Sequence, residues 1–436
     1  MEPAAGPPVA VPPIERTHSM KPTSVSLGLP VVRKTWPESG VDVAALLSKG
    51  WEPLPFLDYI IKLHSRCNLA CDYCYLYEMA DQSWRDQPMT MSHEVFDDTC
   101  QMIADHARRF EIPAMSLNFF GGEPLLVGHR NFEYFASRAR AILDPITTVR
   151  IVLQTNGVLL DDEFLRICDE WDICVTVSLD GDEQSHDRHR RDRRGDGTYA
   201  RVTAGLEKLM AGDRSHLFAG LLCVIDLAND PLQTYKGMLG FQPPAVNFEI
   251  PHGNWTAPPP GSFGDPDSTP YADWLITIFD HWYGAPQLQT RIRMFENIID
   301  LLLGGTARSE VFGLEPIQIA VIETDGTVEQ IDDLKSAFAG ATKLNTTGRG
   351  NPLDQAMVHP AIVARQIGVD ALSDTCRSCP IHTVCGGGHY VTRYQEGEGF
   401  RNPSVYCADL TKLIRHIESR IRADAAAAVG RAGTRP

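Results

Sequence analysis

The sequence contains no uninterrupted apolar run long enough to span a bilayer, so a membrane span is not expected. It also lacks a basic start followed by an apolar core. The opening stretch MEPAAGPPVAVPPIERTHSMKP is proline-rich, reads as no signal peptide, and is expected to be disordered over residues 1–25. Positive charge is in short supply: 40 Lys and Arg stand against 56 Asp and Glu, a net charge of −16. That balance excludes a general nucleic-acid or membrane-surface binder. The one local exception, HDRHRRDRRGDG at 186–197, reads as a solvated loop in preference to a docking surface for an anionic partner. Cysteine is missing from 224 to 375, yet seven of the eleven cysteines crowd into 67–74 and 376–407. Without a secretion signal, such crowding fits metal ligation in a reducing cytoplasm better than disulfides. Cys100, Cys168, Cys174 and Cys223 lie singly among apolar neighbours and read as small core residues.

What is present is an alternation of short apolar runs with amphipathic stretches. Strands are expected at 57–64, 114–120, 149–155, 173–179, 217–225 and 245–250. Helices are expected between them, for example at 92–110, where Ser92 precedes Glu94 as a start signal, and at 161–171. Continuous apolar strands alternating with helices imply a parallel sheet covered by helices, here about six repeats in a curved sheet or partial barrel. Residues 251–269 read as a loop, two further helical stretches follow, and IQIAVIETDGTVEQID (317–332) reads as a hairpin turning at Asp325-Gly326. A last helix is expected near 408–425, followed by a loose tail.

In HSRCNLACDYCYLYE the cysteines Cys67, Cys71 and Cys74 follow the first strand. Zinc normally takes four protein ligands, and His64, which could be the fourth, lies in the strand preceding the loop. A four-iron cluster explains three thiolates better, because its fourth iron stays open to an exchangeable ligand. NFFGGEPLL (118–126) ends the second strand with Gly121, Gly122 and Glu123, where backbone can approach a ligand and a carboxylate can meet an amino group. Asn156, Ser178 and Asp180 follow at the third and fourth strand ends, the usual ligand side of parallel α/β sheets. Turn chemistry is the competing account of the Asn-Gly and Asp-Gly pairs.

CNLACDYC resembles the CxxxCxxC loop of the radical S-adenosylmethionine (SAM) superfamily, with Tyr73 at its aromatic position. GGEP, TNG and SLDG are similar to that family's SAM-contacting strand ends. The resemblance implies a partial (β/α)6 barrel, a cluster whose open iron is chelated by SAM, and homolysis of SAM to a 5′-deoxyadenosyl radical. Carried over, Gly121, Gly122 and Glu123 hold the methionine amino group, and Ser178 and Arg190 are candidates for its carboxylate and ribose. It further implies a cellular electron donor such as flavodoxin or ferredoxin.

The second set gives C-x2-C-x5-C and a fourth cysteine 22 positions on: Cys376, Cys379, Cys385 and Cys407. Four thiolates close a complete site, for zinc or for an iron–sulfur cluster. The stretch resembles the C-terminal part of a SPASM domain, the auxiliary-cluster module of radical SAM peptide-modifying enzymes. His389 stands where complete SPASM domains carry a further cysteine, and Ile331 stands at the cysteine of their Gly-x4-Cys pattern. One auxiliary cluster is therefore expected, making two [4Fe-4S] clusters with the first. The resemblance divides the chain into an N-terminal segment (1–50), a radical SAM domain (51–310), a SPASM-like domain (311–415) and a helix end with tail (416–436).

RCNLACDYCYLYEMADQSW, PHGNW, CGGGHYVTRY and GFRNPSVYCADL look like the SPASM maturases that form three-residue cyclophanes in ribosomal precursor peptides. This implies a precursor peptide, with leader and core, as partner. It also implies abstraction of a Cβ hydrogen and bonding of that carbon to an aromatic ring two positions away. His252, Asp332 and His389 are candidate proton acceptors. FFGGEP and HYVTRY depart from the LHGGEP and LYAHRY expected of close members. The rival readings are formylglycine formation or another crosslink in the same enzyme class, and a non-catalytic zinc or iron–sulfur binding module.

Overall fold

A computed structural model describes residues 35–261, 268–307, 309–346 and 349–432; the stretch 1–25 expected to be disordered lies outside the described residues. Six strands follow one another across a parallel sheet: β1 (Asp58–His64), β2 (Ala114–Gly121), β3 (Thr148–Thr155), β4 (Ile173–Ser178), β5 (Phe218–Val224) and β6 (Ala245–Glu249). A short β7 (Arg291–Ile292) extends the β6 edge. The expected hairpin forms β8 (Ile319–Ile322) and β9 (Val328–Glu329), which turn at Asp325-Gly326 with Gly326 at φ +86°. The hairpin extends the same sheet: β8 runs parallel to β1, pairing Asp58 with Ile319 and Ile61 with Ile322.

Alternation along each strand decides what faces where. In β1, Tyr59, Ile61 and Leu63 are fully buried under the helices. The opposite face turns inward, and Ile60, Asn118, Gln154, Ser178, Leu222 and Glu249, one residue from each of β1 to β6, line a single cavity of about 670 Å³. Only a sheet curved around that space brings six strands to one cavity, so the architecture is an open, partial (β/α)6 barrel.

The helices form for local reasons. Ser92 Oγ accepts the Val95 N–H (3.1 Å) and starts His93–Arg109, which buries Phe96, Cys100, Ile103 and Ala107 along one stripe. Asp161 Oδ1 accepts from Glu163 N and Phe164 N (3.1 and 2.9 Å) and starts Asp162–Glu170. The last helix, Cys407–Ala432, runs beyond the expected end at 425. Its alanines at 425–428, the residue with the strongest helix propensity, carry it on without a buried face.

Where β1 meets the hairpin, a buried network joins Lys62 to Asp332 (2.7 Å) and Glu323 (2.9 Å), and Lys335 to Glu323 (2.5 Å), Asp332 (3.5 Å) and Glu329 (3.8 Å). Replacing Lys335 by methionine strands buried carboxylates and should lower unfolding free energy by about 3–5 kcal/mol, read from denaturant melts. Burial opposes charge on Glu323, but Lys62 and Lys335 outweigh it and hold the carboxyl at about 2 against an ordinary 4.5. A depressed folded-state pKa contributes stability above the ordinary value and loses it as pH falls toward about 2. Glu323→Gln should therefore flatten the acid limb of the stability–pH curve in that window.

Candidate active site

At the end of β1 the chain turns directly into the cysteine loop, and Cys67, Cys71 and Cys74 all line the barrel cavity. The basic run, expected to be merely solvated, clasps this loop. Ala70 N–H donates to the Arg191 carbonyl (2.8 Å), Arg193 Nε donates to the Cys67 carbonyl (2.9 Å), and Leu69 bridges Asp192. From inside, Tyr73 Oη donates to Asp180 Oδ2 (2.5 Å) and accepts from Arg190 Nη1 (2.7 Å). Asp180 Oδ1 accepts the Val224 N–H (3.0 Å), which ties the loop to the ends of β4 and β5. Burial pushes the Cys67 thiol up to about 12 and the Cys71 thiol up to about 11, so a bound cation has to displace their protons.

The strand ends meet this loop closely. A Cβ on Gly121 would stand 2.2 Å from the His64 carbonyl oxygen, and one on Gly122 would stand 1.9 Å from Tyr77 Oη and 2.5 Å from the Arg66 carbonyl oxygen. Glycine is required there by the loop's own backbone, in addition to any ligand. Gly122→Ala should push the end of β2 off the cysteine loop, and reconstituted protein should then hold less iron and sulfide than wild type. Glu123 is wholly buried and does not line the cavity; Gly121, Gly122, Thr155 and Asn156 do. Its oxygens accept from Leu125 N (3.1 Å), Thr155 Oγ1 (2.7 Å) and Asn156 N (2.8 Å), locking β2 to β3. Burial nonetheless keeps its carboxyl above the usual range. Asn156 Nδ2 donates to Asn68 Oδ1 (2.8 Å) and reaches toward Cys67 Sγ (3.7 Å). Ser178 and Arg190 line the cavity, whereas Asp180 stands behind Tyr73 and Arg190.

Across the cavity, the three candidate proton acceptors separate. His252 lines the cavity, its ring 4.4 Å from that of Tyr75 and its Nε2 3.8 Å from Asp333 Oδ1. Asp332 also lines it but belongs to the lysine network. His389 lies behind, its Nε2 3.1 Å from Asp333 Oδ2. Glu249, Glu310 and Asp333 went unnoticed in the sequence. A carboxylate ending the apolar strand AVNFEI was the available signal for Glu249; Asp333 was masked by its neighbour, and Glu310 lies in a stretch without pattern. Burial, with Asp333 adding to it, raises the Glu249 carboxyl to about 7.

Residues 61–224 match the family model of the radical SAM superfamily. A serine-type anaerobic sulfatase-maturating enzyme of Klebsiella aerogenes is 33% identical over 346 residues, covering 77% of this chain and 80% of that protein. The chain belongs to the radical SAM superfamily. It is a radical SAM enzyme, homologous to sulfatase-maturating enzymes. Among the solved structures that share its fold are two with bound peptide. One is anSMEcpe with bound AdoMet and the Cp18Cys peptide, at TM-score 0.68 and 22% identity over 85% of this chain and 99% of that one. The other is Streptococcus suis SuiB bound to precursor peptide SuiA, at TM-score 0.54 and 13% identity over 84% and 78%.

The radical SAM site tests well against the groups its family uses. Among the described residues, no three cysteine sulfurs lie within 4.8 Å of one another. A single tetrahedral zinc would hold its sulfurs about 3.8 Å apart, whereas a four-iron cluster binds each thiolate through a separate iron. Apart from the ion-paired Asp332 carboxylate, two buried polar atoms of cavity residues, Arg190 Nε and Asn118 Oδ1, have no hydrogen-bond partner. Both suit a polar ligand such as SAM. Asn118 escaped the sequence reading, although a lone amide facing inward from SLNFF was its signal.

The second set gathers outside the cavity. Ser373 Oγ caps the turn holding Cys376 (3.2 Å to its N–H), and Arg393 Nη2 donates to the carbonyls of Gly386 and Gly388 (2.6 Å each) beside Cys385. Cys407 opens the last helix and feels the charges of Cys376 and Cys379; Cys385 feels those of Cys407 and Cys376. Among the described residues no helix is long and apolar enough to cross a membrane.

Proposed function

We propose that this radical SAM enzyme modifies a ribosomally made precursor peptide in the cytoplasm. It would join an aromatic side-chain carbon to the Cβ of the residue two positions later. Cys67, Cys71 and Cys74 would hold the SAM-binding [4Fe-4S] cluster. Cys376, Cys379, Cys385 and Cys407 would hold one auxiliary [4Fe-4S] cluster in a SPASM-like domain from residue 311, with flavodoxin or ferredoxin as electron donor. When bound, these groups supply the hydrogen-abstracting radical and an acceptor for the electron released on rearomatisation.

The observation that carries the reading is the single cavity shared by the three-cysteine loop, Tyr75 and the His252 imidazole. A side chain placed there lies within reach of both the radical source and a proton acceptor. Gly121, Gly122, Asn118, Ser178 and Arg190 would bind and orient SAM, and the Tyr73–Asp180–Arg190 contacts would keep water from the loop. The Cβ–H bond breaks, the Cβ–aryl bond forms, and the aryl proton passes to His252 Nε2. Geometry favours His252 over Asp332, which is held by Lys62, and over His389, which lies behind Asp333.

A second reading, formylglycine formation, is favoured by what the Klebsiella relative's name says of that protein. Co-expression with a precursor carrying an aromatic-x-x motif separates the two. The crosslink leaves the peptide two hydrogens lighter, with both residues in one unbroken fragment and no reaction with a carbonyl reagent. A serine oxidised to the aldehyde loses the same mass but reacts with that reagent. An unchanged mass refutes both.

A further inference from the structure

We propose that Glu310, Asp333 and His389 form a site for one divalent first-row transition-metal ion, separate from both cysteine sets. One ligand atom from each lies within 4.8 Å of the other two. His389 Nε2 stands 3.1 Å from Asp333 Oδ2 and 4.0 Å from Glu310 Oε2. An ion bound at 2.0–2.2 Å spaces neighbouring ligand atoms about 3–3.5 Å apart, so one pair is already in place and small rotations close the rest. An imidazole nitrogen with two carboxylates is a donor set suited to Zn²⁺, Fe²⁺ or Mn²⁺.

The surroundings are those of a ligated set. The guanidinium of Arg365 holds Glu310 Oε1, leaving Oε2 directed at His389. The second oxygen of Asp333 faces His252. Glu310 thus has one oxygen held by an outer partner and the other directed at His389, the arrangement that fixes metal ligands elsewhere, while Asp333 Oδ2 is already against His389 Nε2. The Asp333 and Glu310 carboxylates both lie beside His389 Nε2, so negative charge is concentrated where a cation would bind. The three residues come from segments far apart in sequence, so no single turn explains their convergence.

Asp333 also lines the barrel cavity. With three protein ligands, the ion keeps positions open toward it for a water molecule or a peptide carbonyl. The site does not rest on the crosslinking reading and would stand if that reading failed.

Holoenzyme with its iron and sulfide intact, equilibrated with Zn²⁺ and freed of excess, should retain one zinc per chain. X-ray absorption at the zinc edge should show nitrogen and oxygen ligands at about 2.0–2.1 Å and no sulfur at about 2.3 Å. His389→Ala and, should that variant fold poorly, Asp333→Asn should each lower zinc affinity at least about tenfold with iron content unchanged. Zinc that washes away from wild type, zinc bound through sulfur, or equal retention by the variants would each overturn the site.

Discussion

Replacing Cys71 by alanine is expected to abolish reductive cleavage of SAM and to remove about four irons per chain. Three thiolates are the minimum that leaves one iron open, and two do not hold the cluster. The charge of Arg190, which ties the loop to Asp180 through Tyr73, favours the Cys71 thiolate. Cys174→Ala is the control. That cysteine sits half-buried in β4, away from the cavity lining, and its variant should keep full iron and full cleavage. Iron and sulfide analysis with chromatography of 5′-deoxyadenosine reads both. Cleavage surviving in Cys71→Ala would end the assignment of the first loop.

Cys379→Ala should divide the reaction instead of stopping it at the start. None of Cys376, Cys379, Cys385 and Cys407 lines the barrel cavity, so the SAM site should persist and deoxyadenosine should still form. If the proposed crosslinking holds, crosslinked peptide should fall to background, because the radical adduct on the ring would then lack an acceptor for its electron. Deoxyadenosine and crosslinked product measured in one assay give the ratio directly. If both fall together, with the melting temperature also lowered, the second set serves only to hold the fold.

The backbone plan was legible because hydrophobic alternation and turn chemistry are local. Strands expected at 57–64 and 245–250 form at Asp58–His64 and Ala245–Glu249, and Ser92 caps the helix it announces. The cysteine loop was legible for a similar reason: a loop eight residues long keeps its thiols near one another whatever the rest of the chain does. The glycines ending β2 were read as places where backbone approaches a ligand. The approach the structure shows is to His64, Arg66 and Tyr77 of the chain itself, which no local pattern contains.

What the sequence could not express is the meeting of distant residues. HDRHRRDRRGDG looks like a solvated run until Arg191 and Arg193 reach the carbonyls and amides of residues 67–70. Asp332 and Asp333 are adjacent and alike, but they open the 3-10 turn Asp332–Ser336, where successive side chains point about 120° apart, so one meets Lys62 and the other His252 and His389. Glu123, chosen as a ligand contact, turns away from the cavity because Thr155 and the Asn156 amide compete for its oxygens. The sequence by itself determined the six-strand barrel, the two cysteine sets and the family, since each rests on spacing within a few residues. The tertiary structure decided which buried charges pair, because that depends on which strand ends the curved sheet brings together.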